Sequence, residues 1–249
     1  MTRSKILITG ASAGLGAAMA REFAARGRDL ALCARRLDAL VALRDELTAA
    51  HPGITVAVRA LDVDDHAAIP RVFAELRDEL GGLDRVIINA GIGKGALLGT
   101  GRAEANLATA TTNFVSALAQ TEAALEIFRA QESGHLVLVS SMSAVRGLPG
   151  KKAAYSASKA GLAALGEALT VEFANSPIAV TTLLPGFIAT DMAAKAGDAR
   201  MVAPLAKGVA SMVRAIERER IRACVPGWPW RLIDVVLPHL PRAVVARMS

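Results

Sequence analysis

The run Ile6-Leu7-Ile8-Thr9-Gly10-Ala11-Ser12-Ala13-Gly14-Leu15-Gly16 places three apolar residues, a glycine-rich turn and the start of a helix in immediate succession. Ile6 to Ile8 reads as a short buried strand, and an amphipathic helix follows from about Ala17 to Arg26, with Met19, Phe23 and Ala24 on its apolar side. Glycines let a backbone approach a pyrophosphate closely, and the N-terminus of a helix adds unpaired N–H donors and a partial positive charge. Strand, glycine turn and helix are together the opening unit of a dinucleotide-binding fold, although the Gly10-x3-Gly14-x-Gly16 spacing differs from the common G-x-G-x-x-G.

Working outward, the next strand-like run, Leu30 to Ala34, ends in Arg35-Arg36. At that strand end an acid would bind an adenosine ribose 2′-hydroxyl, and an arginine would accept a 2′-phosphate. No acid is there, so the pattern favours NADP(H) over NAD(H). A helix from Leu37 to Ala50, a third strand from Ile54 to Leu61 and a helix from Asp64 to Glu79 follow. Asp62 could accept from an adenine amino group or cap the helix behind it. A fourth strand, Asp84 to Ile88, runs into Asn89-Ala90-Gly91, where small residues leave room for a cofactor ring and Asn89 can tie neighbouring backbones together. Repeated units of this size indicate an α/β fold, a doubly wound parallel sheet with helices on both faces.

A long helix spans roughly residues 104 to 131, with the polar Asn113 at its middle, a place that more often faces solvent. His135 to Val139 forms a fifth strand ending in Ser140, Ser141 and Ser143; a helix over 153–175 and a sixth strand, Ile178 to Leu184, follow. Tyr155, the only tyrosine, stands four residues before Lys159 on one helical face. A cation held there would lower the phenol's pKa and make it a proton donor or acceptor near neutrality. The glycine turn, Asn89, Ser141 and Thr190 all fall at carboxyl ends of strands, where open α/β sheets bind ligands.

Composition limits the alternatives. The 249 residues are 53% hydrophobic, enough for a large core, and no linker, repeat or membrane-length apolar run divides them. The start has too short an apolar run for a signal-peptide core. Cys33 and Cys224 show neither CxxC spacing nor a disulfide framework, so a reducing cytoplasm is the expected location and no metal site is expected. Lys plus Arg number 29 against 23 Asp plus Glu, an excess of 6. That charge suits anionic ligands or lipid headgroups, but the basic stripe and interleaved aromatics of a nucleic-acid binder are missing.

Thr9-Gly10-x3-Gly14-x-Gly16, Asn89-Ala90-Gly91, Asn113, the Ser141 cluster, Tyr155-x3-Lys159 and Pro185-Gly186-x3-Thr190 together resemble the short-chain dehydrogenase/reductase family, from residue 5 to about 225. The resemblance implies a single-domain Rossmann fold of about seven strands over residues 1–225, the seventh at Arg220 to Val225, and homodimers or homotetramers built on the helices holding Asn113 and Tyr155. It implies a catalytic set of Asn113, Ser141, Tyr155 and Lys159. It also implies a cofactor site made by Gly10, Ser12, Ala13, Gly14, Leu15 and Gly16, by Arg35, Arg36, Asp62 and Val63, by Asn89, Ala90 and Gly91, by Tyr155 and Lys159, and by Pro185, Gly186, Ile188 and Thr190. The reaction implied is hydride transfer between NADP(H) and a ketone or secondary alcohol.

The chain departs from the family pattern in two places. The active serine usually lies thirteen residues before the tyrosine, which here is Met142; Ser141 is preferred to Ser143 because it ends the apolar strand, with the extra residue taken up in the Gly147 to Lys152 loop. A misplaced serine would instead suit a catalytically idle dinucleotide-binding sensor or scaffold. Ala13 stands where many NADP-dependent members carry a basic residue. Beyond Thr190, the apolar Met192, Met201, Val202 and Leu205 fall where the family keeps a mobile lid and suggest a hydrophobic substrate, with simple packing as the other reading; the 3-oxoacyl class is suggested by a resemblance of the chain's tail to the ends of actinobacterial reductases. The tail, 226–249, carries Trp228, Trp230, Leu232, Val235, Val236, Leu240 and Val244 with Arg231, Arg242 and Arg247 and the single acid Asp234, which fits either a membrane-interface segment or a subunit-packing arm.

Overall fold

The structure, a computed structural model, describes residues 3–190 and 202–248; the expectation placed on Met192 and Met201 lies outside them. Seven parallel strands form one sheet: β1 (Lys5–Thr9), β2 (Asp29–Ala34), β3 (Val56–Ala60), β4 (Arg85–Ile88), β5 (Gly134–Val139), β6 (Ile178–Pro185) and β7 (Arg222–Val225). Their spatial order, β3-β2-β1-β4-β5-β6-β7, reverses between β1 and β4. That reversal opens a crevice at the carboxyl ends, because the connections leave the sheet in opposite directions there.

Each strand alternates its side chains between two cores. Leu7, Ala31, Val86, Ile88, Leu136 and Leu138 point to one face, and Ile6, Ile8, Leu30, Leu32, Ile87 and Val137 to the other. On the first face lie α3 (Ala68–Leu80), α4 (Ala103–Ala110) continuing into α5 (Ser116–Ala130), and α6 (Ala153–Glu172). The second is covered by α1 (Gly14–Ala24), α2 (Leu37–Ala50) and α7 (Leu205–Glu217). With both faces buried, near-continuous apolar strands are the expected sequence.

Three local differences from the sequence reading have physical causes. Helix α1 begins at Gly14, which enters it through a left-handed φ of +56° that glycine adopts without strain, so Gly14 and Gly16 lie in its first turn. Helix α3 begins at Ala68 because Asp62 closes a turn on Asp64 and Asp65 instead of capping it: the Asp64 N–H donates to Asp62 Oδ1 at 3.2 Å and the Asp65 N–H to Asp62 O at 3.0 Å. The long helix is broken by a π turn, Thr111–Val115.

At the opposite end of the sheet the fold buries charge that sequence reading passed over. Arg85, 1% exposed, donates from Nε to His135 Nδ1 at 2.8 Å and from Nη1 to Glu217 at 2.9 Å. Because Nδ1 accepts, the His135 proton sits on Nε2 and points to Thr181 Oγ1, 2.8 Å away. Burial, with Arg85 beside it, holds this imidazole well below its ordinary pKa and hence neutral. The network fastens the C-terminal end of α7 to the amino ends of β4, β5 and β6.

Candidate active site

Thr9 and Asn89 close the junction of β1 and β4. The Thr9 hydroxyl accepts from the N–H groups of Asn89 and Ala90, both at 3.1 Å, and Asn89 Nδ2 donates back to Thr9 O at 2.9 Å. Asn89 thus does what its position in the sequence suggested. The two loops touch through glycine: a Cβ on Gly10, at φ +66°, would lie 2.9 Å from Ala90 Cα, and one on Gly16 only 2.4 Å from Gly10 O. The N-terminus of α1 has no side-chain cap and no acid in its first turn, which leaves the N–H groups around Gly14, Leu15 and Gly16 available to an anion.

Other cofactor candidates ring this turn. The Thr190 methyl lies 3.9 Å from where a Gly14 Cβ would stand, so the β6 exit faces the glycine turn. Arg36 leans on the turn, donating to Ser12 O at 3.2 Å and Ser12 Oγ at 3.1 Å, whereas Arg35 is exposed and has no partner among the described residues. Asp62 is exposed beside the buried Val63. Ile188 is buried and its segment bridges to Ala203. Gly186 is a surprise: a Cβ there would fall 2.0 Å from the Trp230 ring, so the glycine after Pro185 makes room for the tail.

The four catalytic candidates converge at the ends of β4 and β5. Asn113, fully buried rather than solvent-facing, holds Ile92 through both amide atoms: Oδ1 accepts from its N–H at 2.8 Å and Nδ2 donates to its carbonyl at 2.9 Å. A Cβ on Gly91 would lie 3.0 Å from Asn113 Oδ1 and 3.4 Å from Lys159 Nζ, so the missing side chain leaves these two groups a shared space. Ser140 anchors α6 by donating to Lys159 O at 2.7 Å. Ser141 accepts from the Ser143 N–H at 3.1 Å, and its hydroxyl is near enough to Tyr155 to oppose the rise in the phenol's pKa. Of the three serines, then, Ser141 meets the phenol.

Electrostatics correct one expectation. Burial raises the Tyr155 pKa and the Ser141 hydroxyl opposes that rise; Lys159 does not lower it. The ammonium instead donates to Val139 O, 2.9 Å away at the end of β5, and burial pushes Lys159 down to about 8. Spacing of four residues puts both side chains on one face, but the ammonium takes the strand carbonyl as its hydrogen-bond partner.

These features together match a family model described as short chain dehydrogenase over residues 4–201. The chain belongs to that family. An uncharacterized oxidoreductase of Mycobacterium tuberculosis is 58% identical over 246 residues, 97% of each chain. The 3-oxoacyl-[acyl-carrier-protein] reductase FabG of Escherichia coli is 33% identical over 201 residues, 81% of this chain and 80% of the other. The solved NADPH-dependent 3-quinuclidinone reductase from Rhodotorula rubra superposes with a TM-score of 0.81 at 25% identity, covering 91% of both chains. This short-chain dehydrogenase is an NAD(P)-dependent oxidoreductase of the Rossmann type.

Lys159 supplies a stability test. Its folded pKa, about 8, lies below the ordinary 10.5, so between those values the unfolded chain binds more protons and stability rises with pH. The difference costs the native state about 3 kcal/mol at pH 7, of which losing the bond to Val139 O gives back roughly 1. Lys159→Met is therefore expected to be more stable than wild type by about 1–2 kcal/mol at pH 7 and to lose the rise between pH 8 and 10. Urea unfolding at the two pH values measures this; a less stable variant at pH 7 refutes it.

Proposed function

We propose that the protein is an NADP(H)-dependent ketone reductase whose catalytic set is Asn113, Ser141, Tyr155 and Lys159 and whose substrate is hydrophobic, of 3-oxoacyl type. The observation that carries this reading is the space beside Gly91 shared by Asn113 and Lys159, with Ser141 near enough to Tyr155 to act on its phenol. Residues 1–225 are read as the dinucleotide-binding and catalytic domain and 226–249 as its attached tail, in a cytoplasmic homodimer or homotetramer. The similarity to a 3-oxoacyl reductase supports the substrate class, and the contact between Ser141 and Tyr155 disfavours the idle sensor.

When bound, the reduced dinucleotide supplies the hydride. Ser141 and Tyr155 hydrogen-bond the ketone oxygen, and Tyr155 gives its proton to the oxygen as negative charge develops there. A raised phenol pKa keeps that proton in place at neutral pH. Lys159 retains its charge below about 8 and has further donors for a ribose. Asn113, locked to Ile92, holds the floor through which a proton returns to Tyr155. Tyr155→Phe should lower kcat by orders of magnitude with cofactor Kd nearly unchanged, and Ser141→Ala should cost about 2.7 to 4 kcal/mol in the transition state, much more than Ser143→Ala. Steady-state kinetics on a 3-oxoacyl thioester decide it; half-activity in Tyr155→Phe, or a costlier Ser143→Ala, would overturn the assignment.

The NADP(H) preference rests on Arg35 and Arg36 at the β2 end and on the absence of an acid there. A guanidinium meets a 2′-phosphate with charge-assisted bonds that a ribose hydroxyl cannot match. Arg35→Asp should weaken NADPH binding on the order of thirty- to a hundredfold and leave NADH binding equal or tighter. Arg36, already held by Ser12, shares the load, so Arg35→Ala should be milder. Fluorescence titration gives both Kd values, and a wild type preferring NADH ends the argument.

The tail carries a further part of the proposal, peripheral contact with an anionic membrane. Trp230 is buried against Phe187 and Met142, but Trp228, Leu232, Val235 and Val236 are exposed. Leu232, Val235 and Val236 share one face of the short helix Trp230–Val236. Arg231, Arg242 and Arg247 are exposed around it, and the only acid, Asp234, is taken by Arg222. Among the described residues no helix is long and apolar enough to cross a membrane. Co-sedimentation should show binding to phosphatidylglycerol vesicles, not phosphatidylcholine ones, and loss of binding in Trp228→Ser/Val235→Ser. Dissociation of the oligomer in that variant, without vesicle binding by wild type, would make the tail a subunit arm instead.

A further inference from the structure

Asn113 owes its direction to a π turn, and a π turn needs something to hold it. Thr111–Val115 closes with the Ser116 N–H on Thr111 O, five residues back, which inserts one residue into the helix. Such turns are rare and are frequently found at functional sites. If this one relaxed to α-helical register, the side chains behind it would rotate by about 100°, the angle per residue of a 3.6-residue turn.

Two hydroxyls bracket Asn113, and both donate to one carboxylate. Thr112 Oγ1 reaches Asp64 Oδ2 at 2.8 Å and Ser116 Oγ reaches Asp64 Oδ1 at 2.7 Å. On the same helical run Thr109 and Thr121 do what helical hydroxyls ordinarily do, donating to the carbonyl four residues back, Ala105 O and Ala117 O, each at 2.8 Å. Thr109 shares its hydroxyl with Lys94 O at 2.9 Å, but among the described residues only the pair flanking Asn113 is given over to a carboxylate with no bond to its own helix. Thr112 and Ser116 are buried, so their hydroxyls have no water to turn to. His66 Nε2 lies 3.0 Å from Ser116 Oγ; because the serine hydrogen is committed to Asp64, the histidine nitrogen is the donor.

The Asp64 carboxylate has no other hydrogen-bond partner among the described residues. Helix α3 starts four residues later and its first N–H, that of Ala68, is met by Asp65. The Asp64 backbone is itself fixed by Asp62, so the carboxylate ties the loop of Asp62 and Val63 to the turn holding Asn113. We infer that Asp64 is a positioning residue: by taking the Thr112 and Ser116 hydroxyls it holds the π turn that aims Asn113 at Ile92 and the Lys159 space. The inference rests on the proposed role of Asn113 in catalysis and adds a residue that acts through it.

The experiment is a double-mutant cycle on the full-length protein with two readouts. Asp64→Ala should lower kcat about tenfold, with KM for NADPH and thermal midpoint little changed, and Thr112→Val/Ser116→Ala should reproduce it. Asp64→Asn, which keeps one accepting oxygen, should recover part of the loss. In an Asn113→Ala background the Asp64→Ala change should cost nothing further, which a merely structural role would not produce. Equal loss in both backgrounds, or unchanged kcat in Asp64→Ala, overturns the inference. Amide hydrogen exchange reads the clamp without catalysis: Ile92, whose N–H is held by Asn113, should exchange faster in Asp64→Ala, and unchanged exchange is equally fatal. If Asn113→Ala alone retains wild-type kcat, the catalytic reading of Asn113 fails while the exchange result still judges the clamp.

Discussion

Two side chains at the sheet's reversal point, Thr9 and Asn89, carry the architecture of the site. A parallel sheet that splits its connections there would otherwise leave the ends of β1 and β4 free to separate, since no strand hydrogen bonds continue beyond them. The Thr9 hydroxyl takes two N–H groups from the other strand's exit, and Asn89 returns one to the Thr9 carbonyl. Gly10 and Gly16 can then nest backbone on backbone, at distances a Cβ would forbid. The glycine turn, the uncapped start of α1 and the Asn89–Gly91 segment therefore form one rigid rim, against which the β6 exit closes from the other side.

Helix α6 is the second support, and it serves the site at a cost in stability. It lies close to the sheet because Gly166 has no side chain: a Cβ there would meet Thr182 Oγ1 at 2.0 Å. Closeness brings Lys159 to the end of β5, where it is buried with a strand carbonyl as its hydrogen-bond partner and its pKa falls to about 8. A cation in that position is destabilising by itself. It is tolerated because the surrounding apolar layers are extensive, and it keeps a titratable ammonium next to the space beside Gly91, where charge can matter to chemistry. The buried Arg85, by contrast, is paired with Glu217 and His135 and sits at the far end of the sheet, where it joins elements together.

The sequence made the order of elements legible because each strand and helix writes its own period into the chain. Local pattern alone recovered six strands, the glycine turn and the positions of Asn89, Ser141, Tyr155 and Lys159, all at strand ends or on the helix that packs over them. Boundaries were less legible wherever a side chain outside the element set them. Asp62 turned the chain before α3, and the carboxylate of Asp64, far away in sequence, accompanies a π turn at Thr111–Val115 that no periodicity announces.

What the sequence determined by itself is the Rossmann arrangement and the types of group available at its crevice, because strand alternation, helix spacing and glycine freedom are local properties of a chain. Only the tertiary structure decided which groups meet. Spacing put Tyr155 and Lys159 on one face but could not say that Val139 O would take the ammonium while Ser141 took the phenol. Nor could it show Asn113 buried against Ile92, or Trp230 from the tail lying on Gly186. Such contacts join residues 14 to 44 positions apart, and their outcome depends on burial and competing partners, quantities that exist only once the chain has folded.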